Sequence, residues 1–509
     1  MNLFEKTKYK ASGSKQWKDN FWDVVDDVEK DVSLDIKSII SYLSFKFPFN
    51  DGTLIENIKK NPWMSRIKRN GDVELKEIPK HGSKSIEPEI VTDNLIEKLT
   101  HELLDKCKDK KKIYILLSGG LDSRIIAALV AKLRNDNLIT SNIIAVTWGI
   151  TNSRDVYYAK IIANLLSFSW HHILLEPNNL IDNIQISAKY LGSLVSPINL
   201  HGLNWFKNVD SDSLILASIY GDSVGRNEFG GKRMVELNFL NPRNALGLIN
   251  NNIFNEYSHH LENDINRFYK RSEDNYRPTL CALHQYSTRL RGLAHGFSFV
   301  DNFCEIYFPF TNQDVYEYMW ALHPILRNDE IYKRILVKLD SNLTKIPWAR
   351  TNKTIKGKSR YTKRGLSKDY HNYEKWISHD VFDEINSLID KEWLKDTGIF
   401  DINSINKLTF EVSNNPGGLL LEKEFFIWLA SFCEFNRIAK KNFNKCLNLV
   451  SNSKENILSS NRTRNKNFIL TQLRRSYFWK YIFKLKSSIQ KYLLRLDAIK
   501  TKPIDYDTK

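Results

Sequence analysis

Cysteine is scarce in this 509-residue chain: Cys107, Cys281, Cys304, Cys433 and Cys446 are scattered, odd in number and without a CxxC pair. That pattern excludes a disulfide framework and suits reduced thiols in a cytoplasmic protein. Long apolar runs are missing as well. No stretch of about eighteen consecutive apolar residues occurs, so no membrane-spanning helix is expected. Residues 1–15 lack the apolar centre of a secretory signal. No internal repeat is visible. Acidic residues are outnumbered, 59 against 75 Lys and Arg, which gives a formal charge of +16. No recognised nucleic-acid motif accompanies that charge, so no nucleic-acid partner is expected. Much of the excess lies in residues 451–509, where 14 basic residues face 4 acidic ones. Ile469, Leu473, Tyr481, Leu485 and Ile489 there can form one apolar stripe on a basic helix. Such a helix either docks on the protein, lies on an anionic membrane surface, or meets a partner.

What is present is chemistry-bearing and local. Residues 113–124, "IYILLSGGLDSR", read as a strand buried on both faces over Tyr114–Leu117, stopped by glycines. Ile125, Ile126, Leu129, Val130 and Leu133 then recur at helical spacing. Gly119 and Gly120 therefore sit at a strand-to-helix turn, where backbone N–H groups approach a ligand closely and the helix start favours phosphate. Asp122 is an acid in a site built for anions, and a bridging Mg²⁺ would reconcile the two. An ordinary turn with an exposed aspartate is the plainer alternative.

The string Ser118-Gly119-Gly120-Leu121-Asp122-Ser123 resembles the pyrophosphate loop of the ATP pyrophosphatase superfamily in its asparagine-synthetase form. It is not a Walker loop, because no Gly-Lys-Ser/Thr follows. The resemblance implies that Ser118, Gly119, Gly120 and Ser123 hold pyrophosphate and that Asp122 holds Mg²⁺, with ATP cleaved between its α and β phosphates.

Further segments extend the resemblance. Residues 142–147, "NIIAVT", read as the next buried strand, whose end near Val146, Thr147 and Gly149 is implied to line the adenine pocket. Ser153 is placed to cap the following helix, with Asp155 in its first turn. His171 and His172 have no Cys or acidic cluster at ligand spacing and are read as structural. Residues 214–231, "LILASIYGDSVGRNEFGG", resemble the family's Gly-Glu/Asp…Asp-Glu…Phe-Gly-Gly loop, with Gly221 and Asp222 on its first pair. Its Asp-Glu pair falls on Asn227-Glu228 or on Arg226-Asn227, and Glu228 is the candidate second metal carboxylate. In residues 289–320, Glu305, Pro309 and Phe310 match the family, while Tyr307 stands for an arginine and Asn312 for an aspartate. Lys353, with Arg350 beside it, overlies the lysine that stabilises charge at the α-phosphate. Lys333 sits instead on a helix marked by Ile331, Ile335 and Leu339. Residues 33–77 resemble the end of a glutaminase domain, but Asn2 stands where such an enzyme needs cysteine. No intrinsic glutaminase is expected.

The expected fold is α/β, a doubly wound parallel sheet over residues 93–250 of the ATP-pyrophosphatase type. A region resembling a glutaminase end and linker (1–92) precedes it, a helical lobe (251–445) completes the site, and a basic tail (446–509) follows. The expected function is ATP- and Mg²⁺-dependent adenylation of a carboxylate, then amide formation with ammonia or an amine, supplied freely or by a separate glutaminase. Asp222 is placed to orient the reactants, and Lys353 and Arg350 to act on the adenylate. Ring closure, as in β-lactam synthetases and lasso-peptide cyclases, amide formation on a sugar acid or peptide, and a non-catalytic nucleotide binder remain alternatives. The expected location is cytoplasmic, with membrane contact only through the tail.

Overall fold

The apolar runs of the sequence become the strands of one sheet. These are Lys112–Leu116 (β1), Asn142–Gly149 (β2), Ser169–Leu174 (β3), Leu214–Leu216 (β4) and Glu305–Tyr307 (β5). All neighbours are parallel, in the order β5-β4-β1-β2-β3, with Leu116 opposite Val146 and Ile115 opposite Leu216. The chain winds outward from β1 in two directions, and the ends of β1 and β4 flank the switch point. β5 comes from the stretch that the sequence assigns to the helical lobe. The structure is a computed structural model. It describes residues 6–28, 32–226, 241–272, 277–323, 326–356 and 358–443, with Lys445, Leu447 and Asp505–Tyr506.

Nine helices enter the argument: Phe21–Asp27 (α1), Ile36–Phe45 (α2), Pro88–Cys107 (α3), Asp122–Asn135 (α4), Arg154–Leu165 (α5), Asn178–Leu191 (α6), Asn251–Tyr269 (α7), Asp329–Leu339 (α8) and Leu420–Phe443 (α9). α4 buries apolar residues continuously from Ile125 to Ala131, because it packs against α3 and α8 as well as β1. α5 starts where expected, with the Ser153 hydroxyl accepting from the Val156 N–H at 3.3 Å.

Residues before the sheet do not stand apart from those after it. Tyr9–Ala11 pairs antiparallel with Ile58–Lys60, and α2 packs on α7. Phe21 and Trp22 meet Phe435, Trp22 stacks on Phe443, and Tyr42 stacks on Trp428 at 4.3 Å. One apolar cluster thus runs from Tyr9 through α4 to Leu447. Among the described residues no helix is long and apolar enough to cross a membrane. The stripe Ile469–Ile489 and Glu228, with Asn227 and the Phe-Gly-Gly at 229–231, lie outside the described residues.

Candidate active site at the strand ends

A cleft of about 270 Å³ opens at the carboxyl ends of β1, β2 and β4. Leu116 and Ser118, Val146 to Trp148, Asp155, Ala217 to Ile219, Phe297 and Tyr370 line it. A second cleft of about 320 Å³ between the segment at Leu34–Lys37 and α7 holds none of the motif residues. The first is where an open parallel sheet places its ligands.

The Ser118–Ser123 loop, the phosphate loop of the resemblance, is closed by its own two serines and by Asp155 of α5. The Ser118 N–H donates to Ser123 Oγ, the Gly120 N–H to Ser118 Oγ, and the Gly119 N–H to Asp155 Oδ1, all at 3.0–3.1 Å. The start of α4, at Asp122, has no side-chain cap, so its first N–H groups are the donors left for an anion. Burial lifts the Asp155 carboxyl to about 6, against the Gly119 N–H and the Arg124 charge, which favour ionisation.

Two glycines are needed for close approach between loops. A Cβ on Gly119 would come within 2.7 Å of Ala349 Cβ, and one on Gly221 within 2.6 Å of Asp122 Cβ. Gly221 therefore lets the third loop touch the phosphate loop, and Tyr332 of α8 holds it there by donating to the Gly221 carbonyl at 2.7 Å. Asp222 sits beside Tyr332 and Tyr286, opposing ionisation of both hydroxyls. Gly149 does not line the cleft. It has φ +148°, its carbonyl faces His172 Nε2 at 2.8 Å, and its missing Cβ makes room for the Tyr370 carbonyl. His171 stacks on the Trp205 ring at 4.5 Å.

Arg124 is the residue that sequence reasoning missed most. It is fully buried and donates to the carbonyls of Leu343, Ile346, Pro347 and Gly119 at 2.9–3.1 Å. It thereby ties the phosphate loop to the segment carrying Arg350 and Lys353. The Ala349 N–H adds a bond to the Gly119 carbonyl, and Trp348 and Lys353 close a tight turn through their backbones. The lysine segment is thus docked on the loop Ser118–Ser123. Lys353 is exposed on that turn, and its ammonium has no hydrogen-bond or charge partner among the described residues. Arg350 is exposed and lies over the Trp348 ring at 5.7 Å. Lys333 pairs with Glu330 on the outside of α8. Tyr370, Phe297 and Ser218 were also missed, because they reach the cleft from separate segments.

Tyr307 and Asn312, where the resemblance implies an arginine and an aspartate, share one partner. Both side chains donate to the carboxylate of Glu102 on α3, away from the cleft. Asp122 differs from expectation in its partner. Arg226 donates to both its oxygens, from Nε at 2.9 Å and Nη2 at 2.8 Å. Burial alone would lower the Arg226 pKa, but the Asp122 charge and hydrogen bonds outweigh this and raise it. Asp122 is thus already charge-compensated, and a metal ion placed on it would compete with a buried guanidinium 2.8–2.9 Å away. Among the described residues no three His, Cys, Asp or Glu side chains converge on a metal position.

Residues 95–196 match the family model described as asparagine synthase. No curated protein matches the sequence. Among solved structures, the chain is similar to the NMN synthetase from Francisella tularensis at 15% identity and a TM-score of 0.18, over 26% of this chain and 54% of that one. The match spans about half the length of that protein.

Proposed function

Starting from a chain whose residues 95–196 carry an asparagine synthase domain, we propose that it is an ATP-dependent amide-forming ligase. The ATP base and ribose occupy the cleft beside Val146, Thr147 and Tyr370, and the phosphates meet the uncapped start of α4. The carboxylate of the acceptor attacks the α-phosphorus, forming an acyl-adenylate and releasing pyrophosphate. Ammonia or an amine then attacks the acyl carbon, expelling AMP and giving the amide. Lys353 and Arg350 place positive charge beside the α-phosphate, where negative charge grows in the transition state.

The observation that carries this reading is one cluster. A cleft at the strand ends, an open helix start and a docked lysine turn all share the loop Ser118–Ser123. The location proposed is cytoplasmic; the acceptor is a small-molecule or biosynthetic carboxylate, and the nitrogen donor is ammonia or an amine, free or fed by a separate glutaminase.

Pyrophosphate release with a panel of aspartate, sugar acids and peptide carboxylates tests the proposal. Release should depend on one acceptor class and on a nitrogen donor for turnover. Asp122→Asn should lower the rate at least about a hundredfold, the scale of losing a preorganised charged group at a reacting centre, with an unchanged circular dichroism spectrum. If ATP binds but no acceptor releases pyrophosphate, the chain is a nucleotide-binding relative and not a ligase.

A further inference from the structure

Two helices begin with an aspartate close to the phosphate loop: Asp122 starts α4 and Asp329 starts α8. One guanidinium links them. Arg226 Nε and Nη2 hold both oxygens of Asp122, and Nη1 donates to Asp329 Oδ1 at 2.9 Å. A guanidinium carries five N–H donors. Among the described residues three are engaged, which leaves one open on each Nη nitrogen. The side chain is only 6% exposed. It lies over the rings of Tyr332 at 5.6 Å and Trp348 at 5.5 Å, so packing fixes its orientation. Its backbone is fixed too, because a Cβ on Gly225 would collide with the Tyr332 hydroxyl.

The charge balance gives this geometry a consequence. Without Arg226, Asp122 and Asp329 would set two uncompensated carboxylates beside a loop meant for phosphate. Some cation must offset them before a polyanion can bind. Here the chain provides that cation itself. It is planar and always charged, and its two open donors suit the oxygens of a diphosphate.

Resting on the ligase reading above, we propose that Arg226 is a pyrophosphate-binding residue. It supplies the positive charge that a cation held by Asp122 would otherwise supply. Diphosphate recognition by this chain therefore does not depend on a metal ion held by Asp122.

Calorimetric titration of the full chain with inorganic pyrophosphate, in EDTA and then in millimolar Mg²⁺, tests this. The wild-type chain should bind pyrophosphate in EDTA with an affinity within about tenfold of that in Mg²⁺. Arg226→Met should lose at least about tenfold in EDTA, the scale of one charge-assisted hydrogen bond. It should regain affinity in Mg²⁺, because the freed Asp122 and Asp329 then offer carboxylates to the ion. Arg226→Lys, which keeps the charge without the fork, should fall between the two. Thermal melting of each variant separates unfolding from lost binding, and the wild-type comparison needs no variant. Wild-type binding that appears only with Mg²⁺, with Arg226→Met equal to wild type, would overturn the inference and leave the ligase reading intact. Absence of ATP and pyrophosphate binding in both buffers would remove the ligase reading, and this inference with it.

Discussion

Asp155 shows how one side chain serves two purposes at a cost. It accepts the Gly119 N–H and so shapes the phosphate loop, yet burial raises its carboxyl to about 6. In the unfolded chain the same group ionises near 3.9. Below about pH 4 both states hold the proton. Between about pH 4 and 6 only the folded state does, so stability falls as pH rises, and above 6 the cost stays constant. Asp155 lines a cleft that water enters, so the cost is on the order of 1 kcal/mol. Asp155→Asn keeps an acceptor for Gly119 without the charge. It should be more stable than wild type at about pH 8 by about 1 kcal/mol, and nearly equal at about pH 4. Urea unfolding at the two pH values measures this, and an advantage independent of pH would contradict it.

At the scale of elements, the proposed chemistry rests on the turn at residues 348–353. Ala349 bonds its backbone to the Gly119 carbonyl, and Arg124 joins that same carbonyl to those of Leu343, Ile346 and Pro347 just before the turn. On the proposed reading Lys353 acts from this held turn, its side chain exposed. Holding the backbone in place reduces the entropy lost when the transition state forms. Lys353→Ala should therefore lower kcat about a hundredfold or more, with a much smaller change in ATP affinity. Lys333, paired with Glu330 outside α8, should tolerate alanine with near-normal turnover. Steady-state kinetics on both variants decides the assignment. A dead Lys333→Ala beside an active Lys353→Ala would reverse it.

At the scale of the molecule, the N-terminal segments and the last long helix share one core. Trp428 is fully buried, stacks on Tyr42 and Phe432, and donates to the Ser193 carbonyl at 3.0 Å. It joins α2, α6 and α9, and α6 leads back to the sheet. Trp428→Ala should cost about 3–5 kcal/mol, the range for emptying a large aromatic site. The loss should lower the melting of all these parts together. Differential scanning calorimetry should show one main transition shifted downward in the variant. Two separated transitions, with only one displaced, would mean that the N-terminal segments fold independently.

The sequence alone carried β1 and β2, the glycine loop after β1 and the starts of α4 and α5, because each depends on neighbours within a dozen residues. Periodicity marks a buried strand, glycines mark the turn, and Ser153 marks a cap. The roles of Arg124 and Arg226 were not legible there. An arginine's partners are set by which distant backbone or carboxylate the fold brings to it, and Leu343, Asp329 and Asp122 lie far from those arginines in sequence or on another loop. Tyr307 and Asn312 read as departures at a binding segment until folding placed both on Glu102. Local spacing thus determined where the glycine loop and the uncapped start of α4 lie. Only the tertiary structure decided which charges surround them, because electrostatic partners are chosen through space and not along the chain.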